Sequence, residues 1–238
     1  MKTLIVTPTF NERENLPTFV ASVRAAVPEA DVMVVDDASP DGTGEIADEL
    51  ASKDARVHVM HRPGKLGLGT AYVDAFRWGL QHDFDRFFEM DADFSHDPKD
   101  LPKFFRALDD GADVVIGSRN VSGGGVEGWG VGRHALSKGG SLYARTILGL
   151  GVRDLTAGFK AFTRRALETI DLERVRSNGY SFQIEMTYRA HLRGLKIVEV
   201  PVVFVDRRAG YSKMSRRIFA EAIGVVWKLR LDAARGRL

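Results

Sequence analysis

The sequence predicts an α/β domain built on an open, mostly parallel sheet with helices on its faces. Three observations carry this. Short apolar runs rich in β-branched residues recur at 3–7 (TLIVT), 31–37 (DVMVVDD), 57–61 (VHVMH), 86–91 (RFFEMD) and 113–118 (DVVIGS). Between them, segments such as 15–27 and 70–82 carry apolar residues at helical spacing. Polar clusters follow the first, second and fourth runs: PTFNE (8–12), DDASPDGT (36–43) and DADFSHD (91–97).

In order along the chain, MKTLIVTPTF reads as a strand, because its short apolar run breaks at Pro8; it is not a signal peptide. The second run closes on Asp36 and Asp37 before SPDG, a good turn sequence in its own right. The third leads into GKLGLGTA (64–71), where backbone N–H groups ahead of a helix could meet phosphate, but the GxGxxG spacing is missing. The fourth runs into EMDADFSHDP, and the fifth ends at Arg119 in GSR. A glycine-rich stretch, roughly Ser122 to Arg133, then reads as a mobile loop passing into a helix. Strand-like segments at 157–163 and 196–206 bracket a helix around 181–194. At the end, Met214, Ile218, Ala222, Val225 and Leu229 recur at helical spacing among basic residues, which predicts an amphipathic helix over 214–238. Right-handed crossovers set every parallel strand's carboxyl end along one edge, the edge where ligands bind in such sheets. No repeat or linker divides the chain, so it reads as a single domain.

Composition narrows the function. Zero cysteines exclude disulfides, thiolate metal sites and cysteine nucleophiles. A formal charge of +2 is too small to argue for nucleic acid as a partner. No apolar run approaches the roughly 18 residues of a membrane span. A GxxxxGK[ST] motif is absent, which argues against a P-loop NTPase. The six histidines, at 58, 61, 82, 96, 134 and 191, show no ligand spacing and read as structural or surface residues.

Asp91 and Asp93 are two apart, so if Asp91 ends a strand both carboxylates face one way and can clamp a hard cation. Oxygen-only ligation suits Mg²⁺ or Mn²⁺, which take one or two carboxylates plus phosphate oxygens. The alternative is that Asp93 or Asp97 merely caps the helix at PKDLPKFF. Asp36 and Asp37 on a neighbouring strand favour the metal reading, and a carboxylate there can accept from base N–H or ribose hydroxyl. Pro8 and Glu12 form the crevice's other wall. Of the basic residues, Arg119, Arg133, Lys138, Arg207, Arg208 and Lys213 stand out, since Arg suits bidentate phosphate recognition. Trp129, in the predicted loop, could touch an apolar substrate.

Together these motifs resemble the family 2 glycosyltransferases, and within them the polyprenol (dolichyl) phosphate mannose synthases. The resemblance runs through PTFNERENL, VVDDASPDGTGEIADEL, GKLGLGTAY, EMDADFSHDP, DVVIGSR, RDLTAGFKAF, SFQIEM and FVDRRAGYSKMS. It implies a GT-A fold, with 1–119 as the nucleotide-sugar half, 120–213 as the acceptor half and 214–238 as the terminal helix. It implies GDP-mannose as donor and a polyprenyl phosphate as acceptor. By position, Pro8, Glu12, Asp37 and Ala92 would hold the nucleotide sugar, with Asp36 adjacent. Asp91 and Asp93 match the metal-binding motif and, with Arg119, would carry catalysis. Arg119, Arg133, Arg207 and Lys213 match positions around the donor and acceptor phosphates. Where some members have a further Gln ligand this chain has Ser95, so a hydroxyl or water must complete the metal's shell.

The implied reaction is a single inverting displacement of GDP by a lipid phosphate oxygen, which needs no side-chain base because the phosphate is already largely dianionic (second pKa ~6). Neither Asp154 nor Glu185 is therefore assigned as one. A lipid acceptor places the chain at the cytoplasmic face of a membrane, with room for a separate membrane-embedded partner; the basic terminal helix either holds it there peripherally or packs its apolar stripe on the protein's own core, and both hold if only the basic end meets lipid. Rival readings are a sister transferase using UDP-glucose, a sugar-nucleotide-binding regulator without turnover, and a Rossmann-type oxidoreductase.

Overall fold

Residues Thr3–Thr9 form β1, almost wholly buried, as a strand covered by helices on both faces must be. In the computed structural model, which describes residues 1–206 and 216–238, this strand lies inside a seven-stranded sheet. Its other members are β2 (Asp31–Asp36), β3 (Val57–His61), β4 (Arg86–Glu89), β5 (Val114–Ser118), β7 (Lys160–Thr163) and β8 (Ile197–Pro201). The order is β3-β2-β1-β4-β7-β5-β8, and only β7 runs antiparallel to its neighbours there. The mostly parallel sheet expected from the sequence is therefore present.

Side chains alternate between two cores as the strand period of two requires. Leu4 and Val6 enter one layer and Ile5 the other; Phe87 and Phe88 divide in the same way. The first layer packs under α3 (Leu68–Gln81), α6 (Arg164–Ile170), α7 (Gly179–Leu192) and parts of α5 (Val131–Leu148) and α8 (Arg216–Ala234). The second packs under α1 (Leu16–Ala26), α2 (Thr43–Lys53) and α4 (Leu101–Asp109).

Three expectations are corrected. The run 86–91 stops being a strand at Glu89, so Asp91 stands beyond the strand end. The segment 196–206 is two strands: after Pro201 the chain leaves the large sheet, and β9 (Val203–Val205) pairs in parallel with β6 (Gly125–Glu127). The glycine-rich stretch thus contains a strand where a loop was expected, because its backbone finds partners in a segment about eighty residues away.

The terminal helix divides its faces. Val226 and Leu229 are buried in the core, while Trp227 and Leu231 are about half exposed beside exposed Lys228 and Arg230. Met214 of the expected stripe lies outside the described residues. Among those described, no helix is long and apolar enough to cross a membrane.

Candidate functional site

The segments after β1, β2 and β4 come together at the carboxyl edge of the sheet. Each holds one non-glycine residue in the left-handed region: Asn11 (φ 60°), Ala38 (φ 55°) and Phe94 (φ 58°). Such backbone costs of order 1–3 kcal/mol per residue and persists only where neighbours over-determine it. Here the Asn11 N–H donates to Ser39 Oγ at 3.1 Å and the Glu12 N–H to Thr43 Oγ1 at 3.0 Å, stitching the first loop to the second. Phe94 packs edge-on against Phe19 with ring centres 6.0 Å apart.

These loops wall a cavity of about 530 Å³. It gathers Pro8, Glu12, Asp37, Asp91, Ala92 and Asp93 from the predicted set. Ser95, Arg119, Arg133 and Trp129 line it too, although Arg119 and Arg133 are remote in sequence from the loops. Arg207 and Lys213 lie outside the described residues. Lys138 is exposed on α5 and does not line the cavity.

Asp36 stands behind the cavity wall. It accepts from Ser39 Oγ at 2.6 Å, from the Ser39 N–H at 3.0 Å and from Thr9 Oγ1 at 3.2 Å, closing its own turn outside the cavity wall. Asp37 is the one that faces inward. Burial pushes its carboxyl above the ordinary value, against the opposing pull of Arg62, 3.3 Å away, and the backbone N–H groups of Gly67 and Leu66.

The GKLGLG segment therefore serves a carboxylate on its own chain. Its glycines have a packing reason as well: a side-chain carbon at Gly67 (φ +106°) would fall 2.6 Å from the Asn178 amide, and one at Gly69 only 2.7 Å from Ser177 O. That close approach lets the Gly69 N–H donate to Asn178 Oδ1 at 3.0 Å and fastens the loop to the start of α7.

Asp91 accepts from Tyr72 Oη at 3.3 Å. Burial, then the charges of Asp91 and Glu89, push the Tyr72 hydroxyl well above its ordinary value, so it stays a donor. Asp93 is largely buried and accepts the Ser95 N–H at 3.0 Å, a tight turn in place of the predicted strand end. The helix-capping alternative falls to Asp97, which accepts the Lys99 N–H at 2.9 Å. The Ser95 hydroxyl is buried without a hydrogen-bond partner.

Arg119 and Arg133 are both ion-paired. Arg119 forks onto Asp154 through Nε and Nη2, each at 2.7 Å, and Nη2 also reaches Thr156 Oγ1 at 2.9 Å. Those hydrogen bonds hold the wholly buried Asp154 carboxyl below its ordinary value despite burial. Arg133 donates through Nη1 to both oxygens of Asp206, at 3.0 and 2.9 Å, with its guanidinium 4.2 Å from the Trp129 ring centre. Asp154 and Glu185, left unassigned as bases, are each held by an arginine, the latter by Arg189 at 2.8 Å.

Sequence spacing missed three groups. His96, read as structural or surface, lines the cavity with its ring 5.0 Å from Phe159. Burial, aided by Arg119, lowers its pKa to about 4 and keeps it neutral. Lys65 stands over the Phe10 ring at 4.0 Å, also on the wall. Gln183 lines the wall above a buried pair, Glu89, raised by burial to about 7, and Lys160, lowered by burial to about 8. The nearest sequence clue for His96 is its place three residues after Asp93; nothing in its own spacing marks Gln183.

Residues 4–171 match the family described as Glycosyl transferase family 2. The chain is 51% identical over 240 residues to a polyprenol monophosphomannose synthase of Mycolicibacterium smegmatis, covering 99% of this chain and 91% of that protein. It is 50% identical over 242 residues to an undecaprenyl-phosphate mannosyltransferase of Micrococcus luteus, covering 100% and 99%. Among solved structures, glucosyl-3-phosphoglycerate synthase from Mycobacterium tuberculosis, in complex with Mn²⁺, UDP-glucose and phosphoglyceric acid, aligns with a TM-score of 0.68 at 20% identity, over 96% of this chain and 79% of that one. That likeness shows the same GT-A type of fold.

Proposed function

The chain belongs to glycosyl transferase family 2, and from that premise we propose that it transfers mannose from GDP-mannose to a polyprenyl monophosphate. One observation carries the reading: two relatives, one named as a polyprenol monophosphomannose synthase and one as an undecaprenyl-phosphate mannosyltransferase, match nearly the whole chain at about half identity. The wall of the cavity supports it, since acids for a nucleoside and a cation stand opposite two arginines suited to phosphates.

In this reading Pro8, Glu12, Asp37 and Ala92 bind the nucleoside part of the donor. Asp36 contributes by closing the turn that presents Asp37. Asp91 and Asp93 would hold Mg²⁺ or Mn²⁺. The donor set fits, because it is all oxygen, and the unpartnered buried Ser95 hydroxyl offers a further ligand or a hydrogen bond to a bound water. When bound, such an ion neutralises negative charge on the departing diphosphate. Arg119, fixed by Asp154, presents a preorganised guanidinium to the reacting phosphates, which is where electrostatic stabilisation counts most. Arg133 offers a second, and Arg207 and Lys213 extend this role by family position.

A lipid phosphate oxygen attacks C1 of mannose, the bond to GDP breaks, and configuration inverts. The nucleophile is already anionic near neutral pH (second pKa ~6), so no residue must remove a proton. Asp154 and Glu185 are accordingly free to serve arginines.

The acceptor lives in a bilayer, so the chain works at a membrane surface, on the cytoplasmic face where nucleotide sugars are supplied. The exposed Trp227 and Leu231, flanked by Lys228 and Arg230, supply an interfacial contact, and a separate membrane-embedded partner could strengthen it. A panel of labelled sugar nucleotides, offered with short-chain polyprenyl phosphate and Mn²⁺, tests the donor. Label from GDP-mannose should enter the lipid fastest; faster transfer from UDP-glucose overturns the assignment.

A further inference from the structure

The proposed donor has a base with its ribose at one end, a charged diphosphate in the middle and the hexose beyond the diphosphate. The cavity wall is divided along similar lines. Its acids and arginines suit the nucleoside, cation and phosphates. Four further side chains on it, Ser95, His96, Trp129 and Gln183, each have a buried polar atom without a partner; with Ser95 given to the cation and the Trp129 ring against Arg133, Gln183 Oε1 and His96 Nδ1 remain.

Gln183 is 2% exposed, and its Nε2 donates to Glu89 Oε2 at 2.6 Å. With Glu89 ionised, turning the amide over would set its carbonyl oxygen against a carboxylate, which favours the orientation seen. The main chain is held as well: Lys160 Nζ donates to Gln183 O at 2.7 Å and to Thr187 Oγ1 at 2.9 Å. Glu89 and Lys160 are fully buried and do not line the cavity, whereas Gln183 does. Burying two ionisable groups beneath one glutamine is costly whenever they are charged.

His96 is 4% exposed, between the rings of Phe159 and Phe204. Beside it, a side-chain carbon at Gly158 would lie 3.9 Å from Asp91 Oδ2 and 4.0 Å from His96 Nε2. The bare glycine thus leaves room, at ordinary contact distance, between the cation-site carboxylate and the Nε2 edge of the imidazole.

We infer that Gln183 and His96 read the hydroxyls of the transferred hexose, and that Glu89 is the positioning residue that fixes the Gln183 amide. An amide and an imidazole can each pair with a hydroxyl, and a site built to pair a hydroxyl discriminates strongly against its absence. This rests on the donor reading above.

The test compares two ligands that differ only in the sugar. Dissociation constants of GDP and GDP-mannose are measured with Mn²⁺ for wild type, Gln183→Met and His96→Phe, each variant close in shape to the original and checked by thermal melting. Expected is a GDP affinity within about two-fold of wild type and a GDP-mannose affinity about ten-fold weaker, near 1.4 kcal/mol. Glu89→Met should lose the sugar preference in the same way, while Glu89→Gln, which keeps an acceptor for the amide, should retain it. Equal weakening of both ligands, or of neither, overturns the inference and leaves the donor reading standing. Wild-type protein that binds neither ligand overturns the donor reading itself.

Discussion

Replacing Arg119 by Lys should damage stability and turnover together. The guanidinium is 8% exposed, its Asp154 partner 0%, and the fork supplies two contacts at 2.7 Å. An ammonium can satisfy one carboxylate oxygen and leaves the other buried without its donor. Losing one charge-assisted hydrogen bond costs about 2–3 kcal/mol, below the 3–5 kcal/mol of breaking a buried pair outright because the charge is kept. At roughly 2.1 cal/mol/K per residue, the 238-residue chain loses about 0.5 kcal/mol per degree, so the melting temperature should fall by about 4–6 °C. Arg133→Lys is the internal control. Its pair with Asp206 is a quarter to just over a third exposed, worth about 0–1 kcal/mol, so its melting shift should stay within about 2 °C while turnover still drops. Differential scanning fluorimetry and transfer rates on both variants decide. Equal melting shifts, or an Arg119→Lys enzyme with wild-type stability and rate, would refute the idea that Asp154 exists to orient Arg119.

Gly69→Ala should destabilise the chain by about 1–3 kcal/mol, because its new carbon meets backbone oxygen at 2.7 Å; an unchanged denaturant midpoint would remove the packing role given to that glycine. His96 gives a pH signature. Its folded pKa, about 4, lies below the ordinary 6.5, so between those values the unfolded chain binds the extra proton. Stability is therefore full above 6.5 and declines as pH falls, by about 3 kcal/mol on reaching 4. His96→Phe should gain on wild type steadily from pH 7 to 4.5 in thermal melts, and a constant gap would show that the imidazole is not buried. Changing both Trp227 and Leu231 to Ser should leave melting within about 1 °C, since both are half exposed, yet reduce binding to anionic liposomes several-fold. Unchanged liposome binding would move membrane contact elsewhere. Deleting 226–238 is a poorer test, since Val226 and Leu229 belong to the core.

What could be read from sequence was local. Strand β1 and its helix α1 announce themselves by periodicity, and the acids of the second and fourth loops by their place after buried runs. The rest depended on contacts between distant segments. Nothing around Gly69 indicates that Asn178 sits against it, nor anything near Glu89 that Gln183 caps it 94 residues later. Asp36 and Asp37 look alike in sequence; one residue of strand phase sends the first into its own turn and the second into the cavity. Strand β6 was invisible for the same reason, since three residues of a glycine-rich run become a strand only when β9 offers a partner.

The most direct measurement is lipid labelling. Purified chain is incubated with labelled GDP-mannose, short-chain polyprenyl phosphate and Mn²⁺, and label extracted into organic solvent is counted for wild type and Asp93→Ala. Expected is acceptor-dependent labelled lipid from wild type, abolished by EDTA, and none above background from the variant. Label that stays in water with wild type, or an Asp93→Ala enzyme working at wild-type rate, would contradict a mannosyl transfer centred on this cavity.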